Sequence, residues 1–316
     1  MKIILTVCNK TELAQAITLG VSVKRFHPDS LFFIGWVGDT PPRHLPENML
    51  AIPIQQLGIS QWPQMAEHYS TYELVMACRP WFANYILKQN PSCSELTFLA
   101  PTVFLYQSLG SIPSTSDLLL TPTILKPLPP SSLLDDKRIL NIGMFHSGSW
   151  RLRKTEETAS FLDWWCTRTI DRAKFDLCNG MCLDQLWLNY APVWVRNSSA
   201  ITTPSWHMGL HSLLNSTLSV ENNTYQVNGA ALVSVDFAGL SSYHPIWSDH
   251  VKLAKQYPIF MELFKNYARL CTEYISYADG LSSIPGQAHR KSISQRRKGI
   301  IERLKAVTKF INQVDV

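Results

Sequence analysis

The sequence predicts an α/β protein: a mixed, mostly parallel sheet flanked by helices, with a helical extension at the carboxyl end. Three observations carry this expectation. Ile3 to Val7 is a short apolar, β-branched run that reads as a buried strand. A helix-spaced segment follows, and Leu31 to Val37 resumes strand character, so the first forty residues spell a parallel βαβ unit. Strand-like and helix-like segments then keep alternating along the chain. Sheets of this kind bind ligands outside the carboxyl ends of their strands, which for the first strand means Thr6 to Asn9.

Each further element has its own signal. Thr11 can cap a helix whose apolar face is Leu13, Ala16, Ile17, Leu19, Gly20 and Val23, and Pro28 stops it. Ser70 and Glu73 have capping-box spacing ahead of a helix through Cys78, Trp81, Phe82, Tyr85 and Leu87, bent at Pro80. Glu95 to Leu99 reads as a strand, Ala100-Pro101-Thr102 as a turn, and Val103 to Tyr106 as renewed extended chain. Leu118 to Leu120 and Ile139 to Phe145 are expected as strands, joined through a Pro/Ser-rich surface loop over 122–132. Residues 155 to 172 form an amphipathic helix in which Trp164 and Trp165 serve packing rather than ligand stacking. A shorter helical segment is expected at Leu183 to Tyr190. Asn228-Gly229 supplies the two positive φ angles of a tight hairpin between Tyr225–Val227 and Ala231–Phe237. Helices dominate from there to the end, and no internal repeat is present.

Composition bounds the function. With 46% hydrophobic and 17% charged residues, the 316-residue chain is neither disordered nor fibrous. Its net charge of +5 is concentrated in residues 290 to 316, where eight Lys or Arg face two acids, so the main body is near neutral and nucleic acid is excluded as a partner. Seven cysteines are an odd number without regular spacing, which argues for reduced thiols and a cytoplasmic setting. Cys178 and Cys182 could share a helix face, but no CxxC or paired His completes a zinc set. No apolar run approaches the ~20 residues of a membrane span, and the opening one is too short for a secretion signal. The Asn-x-Ser/Thr sequons at Asn197, Asn215 and Asn222 therefore read as chance matches.

Eight short pieces, taken in order, resemble a known family. They are Thr6-Val7-Cys8-Asn9, Phe26-His27-Pro28-Asp29, Arg79-Pro80-Trp81-Phe82, Asn141-Ile142-Gly143-Met144, Phe161-Leu162-Asp163-Trp164-Trp165, Asp184 to Asn189, Val227-Asn228-Gly229 and Asp236-Phe237-Ala238-Gly239. Over roughly residues 1 to 245 the chain resembles bacterial nucleotide-diphospho-sugar glycosyltransferases with the Rossmann-like GT-A fold. The resemblance implies a glycosyltransferase domain over 1–245 and a helical extension over 246–316. It also implies a nucleoside-diphosphate sugar as donor, with UDP-sugars favoured, and a glycan or lipid-linked acceptor.

The implied roles are residue by residue. Thr6, Val7, Cys8 and Asn9 lie where the family holds the nucleotide base. Arg79 suits diphosphate oxygens, with a surface salt bridge as the alternative. Asp184 is the implied catalytic acid, able to orient sugar hydroxyls or take the acceptor proton, and Gln185 joins it at the donor; the alternative for Asp184 is a helix N-cap. His207 and Gly209 match a His-x-Gly loop that reaches phosphate or sugar groups, although a lone His is more often structural. Asn141, Gly143, Asp236 and Gly239 complete the implied donor set with Ala100 and Thr102.

Two departures stand out. The family's Asp-x-Asp turn, which binds a divalent ion on the donor diphosphate, is here Ala100-Pro101-Thr102, and a family His is replaced by Asp236. No metal or other cofactor is therefore expected, and Arg79, Lys10, His207 or backbone donors would meet the phosphate charge. The alternatives are a catalytically silent nucleotide-sugar-fold binding or assembly protein, and a scaffold acting through its basic tail. Residues 290–316 read as a basic amphipathic helix, with Ile300, Leu304 and Val307 on one stripe, that could contact anionic lipid peripherally; a helix docked on the globule is the alternative.

Overall fold

The computed structural model describes residues 1–111, 115–128, 134–282 and 295–311. Its strands, in chain order, are β1 Lys2–Cys8, β2 Leu31–Trp36, β3 Met49–Pro53, β4 Glu95–Leu99, β5 Val103–Leu105, β6 Leu118–Pro122, β7 Phe145–Arg153, β8 Phe175–Asp176, β9 Met181–Cys182, β10 Ser198–Ala200, β11 Met208–Gly209, β12 Leu218–Glu221, β13 Thr224–Val227, β14 Ala230–Ala231 and β15 Ser234–Asp236. The helices are α1 Leu13–Phe26, α2 Trp62–His68, α3 Thr71–Gln89, α4 Asp136–Ile142, α5 Glu156–Arg168, α6 Ala191–Trp194, α7 Val251–Ala254, α8 Pro258–Thr272 and α9 Gln295–Ile311.

Seven strands form the main sheet in the order β10-β6-β7-β4-β1-β2-β3. All neighbours are parallel except β7, which runs antiparallel to both β4 and β6. The chain lays down β1, β2 and β3 toward one edge, then returns through α2 and α3 to place β4 on the other side of β1. That reversal opens a crevice at the carboxyl ends of β1 and β4. Thr6 to Asn9 and the turn at Ala100 to Thr102 sit there. A smaller sheet, β11-β15-β5, rises from this turn, because β5 starts at Val103 and pairs antiparallel with β15.

The alternation of β1 shows how the layers are held. Ile3, Leu5 and Val7 join a core with Leu74, Cys78 and Phe82 of α3 and Phe161 and Trp165 of α5. Ile4 and Cys8 face the other way, onto Leu13 and Ile17 of α1. A Cβ at Gly35 of β2 would stand 2.7 Å from the Phe82 ring, so only glycine lets α3 lie this close to the sheet. Beyond residue 245 the chain stays in these cores: Trp247, Leu253, Phe260 and Tyr267 belong to the first, while Tyr274, Tyr277 and Leu281 pack against the second.

The structure has the βαβ opening, the Ser70–Glu73 capping box and the Asn228-Gly229 turn, where φ is 52° and 78°. It differs elsewhere. Ile139 to Phe145 is not a strand: Asp135 caps α4 by accepting from the Lys137 amide, and Gly143 ends the helix at a φ of 106°. Thr11 is not the first cap, because Asn9 accepts from the Thr11 amide and starts a 3-10 turn over Lys10–Glu12 that leads into α1. The hairpin partner of β13 is the two-residue β14, and Ser234–Asp236 pairs in the other small sheet. Cys178 and Cys182 lie in a 3-10 turn and a strand, not on one helix face, and all seven cysteines are free. Edge strand β3 went unpredicted, half-exposed and ending in a proline.

Candidate active site

Two buried polar clusters flank the crevice. The first is set by α3, whose capping box fixes its start and whose internal Pro80 follows Arg79. Arg79 Nη1 donates to Ser147 Oγ at 3.1 Å, and Ser147 Oγ donates to Asp184 Oδ1 at 3.0 Å. Arg79 Nη1 stands 3.7 Å from Asp184 Oδ2, and its guanidinium lies 5.1 Å from the Phe98 ring centre. The Ser147 amide donates to Gln185 Oε1 at 3.2 Å, and Gln185 Nε2 donates to the Ile142 carbonyl at 2.9 Å. Trp165 Nε1 donates to the Asp184 carbonyl at 3.1 Å. Burial pushes the Asp184 carboxyl up against the opposing pull of Arg79 and Ser147, leaving it at about 6.

The second cluster comes from β7, the residue preceding β11, and β15. Asp236 Oδ1 accepts from Thr102 Oγ1 at 2.6 Å and from the Ala238 amide at 2.9 Å. Asp236 Oδ2 faces His146 Nε2 at 3.7 Å and His207 Nε2 at 3.5 Å. Burial opposes ionisation of Asp236, but the His207 and His146 rings and the Thr102 hydroxyl outweigh it and hold the carboxyl well below the usual range. His211 stacks on His207, its ring 5.6 Å away, and burial pushes it down to about 4. Glu12 is buried nearby and raised to about 7, by burial first, with Arg79 opposing and Asp236 adding.

Two cavities meet these clusters. The smaller holds about 20 Å³ and is walled by Glu12, Arg79, the 100–102 turn, Ser147, Gln185 and Asp236, with Ser242, Tyr243, His244 and Ile246 on its remaining side. The larger holds about 270 Å³ and is walled by Thr121 to Lys126, Trp206, Ser212, Asn215 and Asn228. His207 lines the larger cavity and faces Asp236, a wall of the smaller one, so it stands between them.

The expected site residues divide accordingly. Arg79, Ala100, Thr102, Gln185 and Asp236 converge on the small cavity. Arg79 is not a surface salt-bridge residue, since it is 5% exposed and paired with Asp184. Asp184 makes no capping bond, and its fully buried side chain reaches the cavity through Ser147 and Gln185 rather than directly. Thr6, Val7, Cys8 and Asn9 are buried at the end of β1 and wall neither cavity; Asn9 is engaged as a cap. Asn141 is an exposed residue of α4 away from both cavities, because the stretch that carries it is helical. Gly143 turns toward Leu186 and Asn189. Gly209 leaves room for the His211 ring and the Asp236 carbonyl, and Gly239, at a φ of 84°, for the backbone of Trp247 and Ser248. His146, Ser147, His211, Glu12 and His244 were missed; only His211, two residues after Gly209 of the His-x-Gly loop, carries a local signal that could have found it.

The family's hard-cation cage does not fit the turn. Ala100 has no donor atom and the Thr102 hydroxyl is committed to Asp236. Among the described residues, one group has metal-ligand proximity: His146, His207 and Asp236, whose candidate ligand atoms all lie within 4.8 Å of one another.

No protein-family model and no curated protein matches the chain. Among solved structures it is similar to the galactosyltransferase LgtC in complex with donor and acceptor sugar analogs, at 13% identity over 90% of this chain and 98% of that one, with a TM-score of 0.45. An active-site mutant of LgtC is similar at 14% identity over 90% and 98%, with a TM-score of 0.49. A glycosyltransferase involved in glycosylation of the major capsid of PBCV-1 is similar at 10% identity over 74% and 92%, with a TM-score of 0.42.

Proposed function

We propose that this chain is a glycosyltransferase of the GT-A type, moving a sugar from a nucleoside-diphosphate sugar, UDP-linked in preference, to a glycan or lipid-linked acceptor. The observation that carries the reading is convergence. Residues from six separated segments, with Arg79 and Gln185 among them, wall one cavity at the reversal point between β1 and β4. Arg79 supplies fixed positive charge and directed donors to the leaving diphosphate. Asp184, held by Ser147 and Arg79, acts on the sugar hydroxyls or the acceptor proton through the Ser147 hydroxyl that lines the cavity. The turn at 100–102 holds no Mg2+ or Mn2+.

A cavity of about 20 Å³ holds about one water, so donor access requires part of its wall to move. The acceptor sugar takes the larger cavity, where Trp206 offers an aromatic face and Asn215, Ser212 and Lys126 offer polar groups. A second reading, a nucleotide-sugar-fold protein without turnover, is favoured by that small cavity together with the absent carboxylates.

The exposed apolar residues of α9, Ile300, Leu304, Val307, Phe310 and Ile311, support a peripheral contact with anionic lipid on the cytoplasmic side. No helix among the described residues is long and apolar enough to cross a membrane.

Calorimetry of the full chain against a panel of nucleoside-diphosphate sugars tests the proposal. Saturable binding of a UDP-sugar is expected, with transfer unchanged within about twofold by added Mg2+ or Mn2+. Binding without transfer to any acceptor selects the second reading, and a folded chain that binds no donor overturns both.

A further inference from the structure

We propose that His146, His207 and Asp236 bind one divalent transition-metal ion of the Zn2+ class, at a site between the two cavities. The inference goes beyond the glycosyl-transfer reading and does not depend on it. It concerns ligands supplied by β7, β15 and the residue preceding β11, not the turn at 100–102.

The carboxylate is already oriented. Thr102 and the Ala238 amide occupy Asp236 Oδ1, which leaves Oδ2 directed at two imidazole nitrogens. Those nitrogens, at 3.5 and 3.7 Å, are too far for hydrogen bonds to Oδ2. They are close to the separation, roughly 3.0–3.5 Å, of two ligand atoms that share an ion through bonds of about 2.0–2.2 Å. His146 Nε2 and both ring nitrogens of His207 are buried without a hydrogen-bond partner. Native interiors rarely leave such groups unmatched, and an ion satisfies His146 Nε2 and the His207 Nε2 that faces Asp236.

Charge points the same way. Glu12, Asp184 and Asp236 are buried around this space, and Arg79 is the buried guanidinium that faces them, so the cluster has room for a cation. Space has been cleared for the ring as well: a Cβ on Gly148 would stand 2.7 Å from His146. Two imidazoles and one carboxylate suit Zn2+, Co2+, Fe2+ or Ni2+, whereas Mg2+ takes oxygen ligands. Loading has one local cost. The Gly148 amide lies 3.0 Å from His146 Nδ1 and opposes the Nδ1–H tautomer that ligation through Nε2 requires, so the His146 ring must turn as the ion enters.

The test uses the full chain, stripped with a chelator and free of nucleotide, titrated with ZnCl2 and CoCl2 and followed by calorimetry, elemental analysis and thermal unfolding. The expected result is one tightly bound ion per chain, a raised unfolding temperature, visible Co2+ absorption bands, and no response to Mg2+. His207→Gln removes a ligand and lowers Zn2+ affinity at least tenfold. Gly148→Ala removes none but crowds His146, and weakens binding several-fold, which keeps the proposal testable where His207→Gln fails to fold. A folded wild-type chain with no stoichiometric Zn2+ or Co2+ binding overturns the proposal, as does a folded His207→Gln or Gly148→Ala chain that binds as tightly as wild type. Because no donor is present, neither result bears on sugar transfer.

Discussion

Thr102 donates its hydroxyl to Asp236 Oδ1 at 2.6 Å across 134 residues of sequence. The sequence led both positions to be expected as departures from the glycosyltransferase pattern it resembles, and the two meet in a single buried hydrogen bond. Thr102→Val keeps the shape and deletes the donor. It is expected to cost roughly 1.5–3 kcal/mol, the range for a hydrogen bond to a charged group, while Thr102→Ser stays near wild type in chemical denaturation. A Thr102→Val chain as stable as wild type would show that the hydrogen bond contributes nothing to stability.

Asp184 is held at about 6 by burial against the pull of Arg79. If the ionised carboxylate is the working form, turnover rises as pH climbs through about 6, and Asp184→Asn removes that inflection. The same variant is expected to lower turnover at least tenfold while changing donor affinity by less than threefold, as for a group acting in the transition state. Matched pH profiles in both proteins would remove Asp184 from the chemistry.

His244 lies beside the small cavity, and its Nδ1 accepts from the Ile246 amide at 3.2 Å, a bond that only the unprotonated nitrogen can accept. Burial, aided by Arg79 and opposed by Asp236, pushes the ring from 6.5 down to about 3. The unfolded chain therefore takes this proton first. Its stabilising contribution is complete above about pH 6.5 and is lost as pH falls toward 3, reaching a loss of about 3 kcal/mol by pH 4.5. Urea titrations across that interval are expected to show a shallower acid slope for His244→Gln; an unchanged slope would show that other groups carry the acid sensitivity.

The apolar residues of α9 are exposed, with Leu304 60% and Phe310 68% accessible. Arg290 and Lys291, part of the basic tail expected from the sequence, lie outside the described residues. Co-sedimentation with anionic liposomes is expected at low salt, to weaken as salt rises, and to vanish when residues 290–316 are removed, since each basic side chain near such a surface adds roughly 1 kcal/mol. Leu304→Glu with Phe310→Glu alters only exposed positions and should have the same effect. Persistent binding in both variants would locate the lipid contact elsewhere.

The sequence by itself determined the elements whose signals are local. The short apolar, β-branched run Ile3 to Val7, the Ser70–Glu73 box and the Asn228-Gly229 turn are each marked within a few residues, and all three stand in the structure. It misled where a short apolar run fits two periods: Ile139 to Phe145 was expected as a strand, but the Asp135 cap with the Gly143 stop puts residues 139 to 142 in α4. The site was legible as motifs but not as an arrangement. Arg79, Asp184 and Gln185 were visible, yet their joining through Ser147 was not, because Ser147 has no neighbour in sequence that marks it. Only the tertiary structure brought His146, His207 and Asp236 together. His146 and Asp236 lie on strands of two different sheets and His207 just before a third strand, and the packing of those sheets, rather than any spacing along the chain, aims two imidazoles at one carboxylate oxygen.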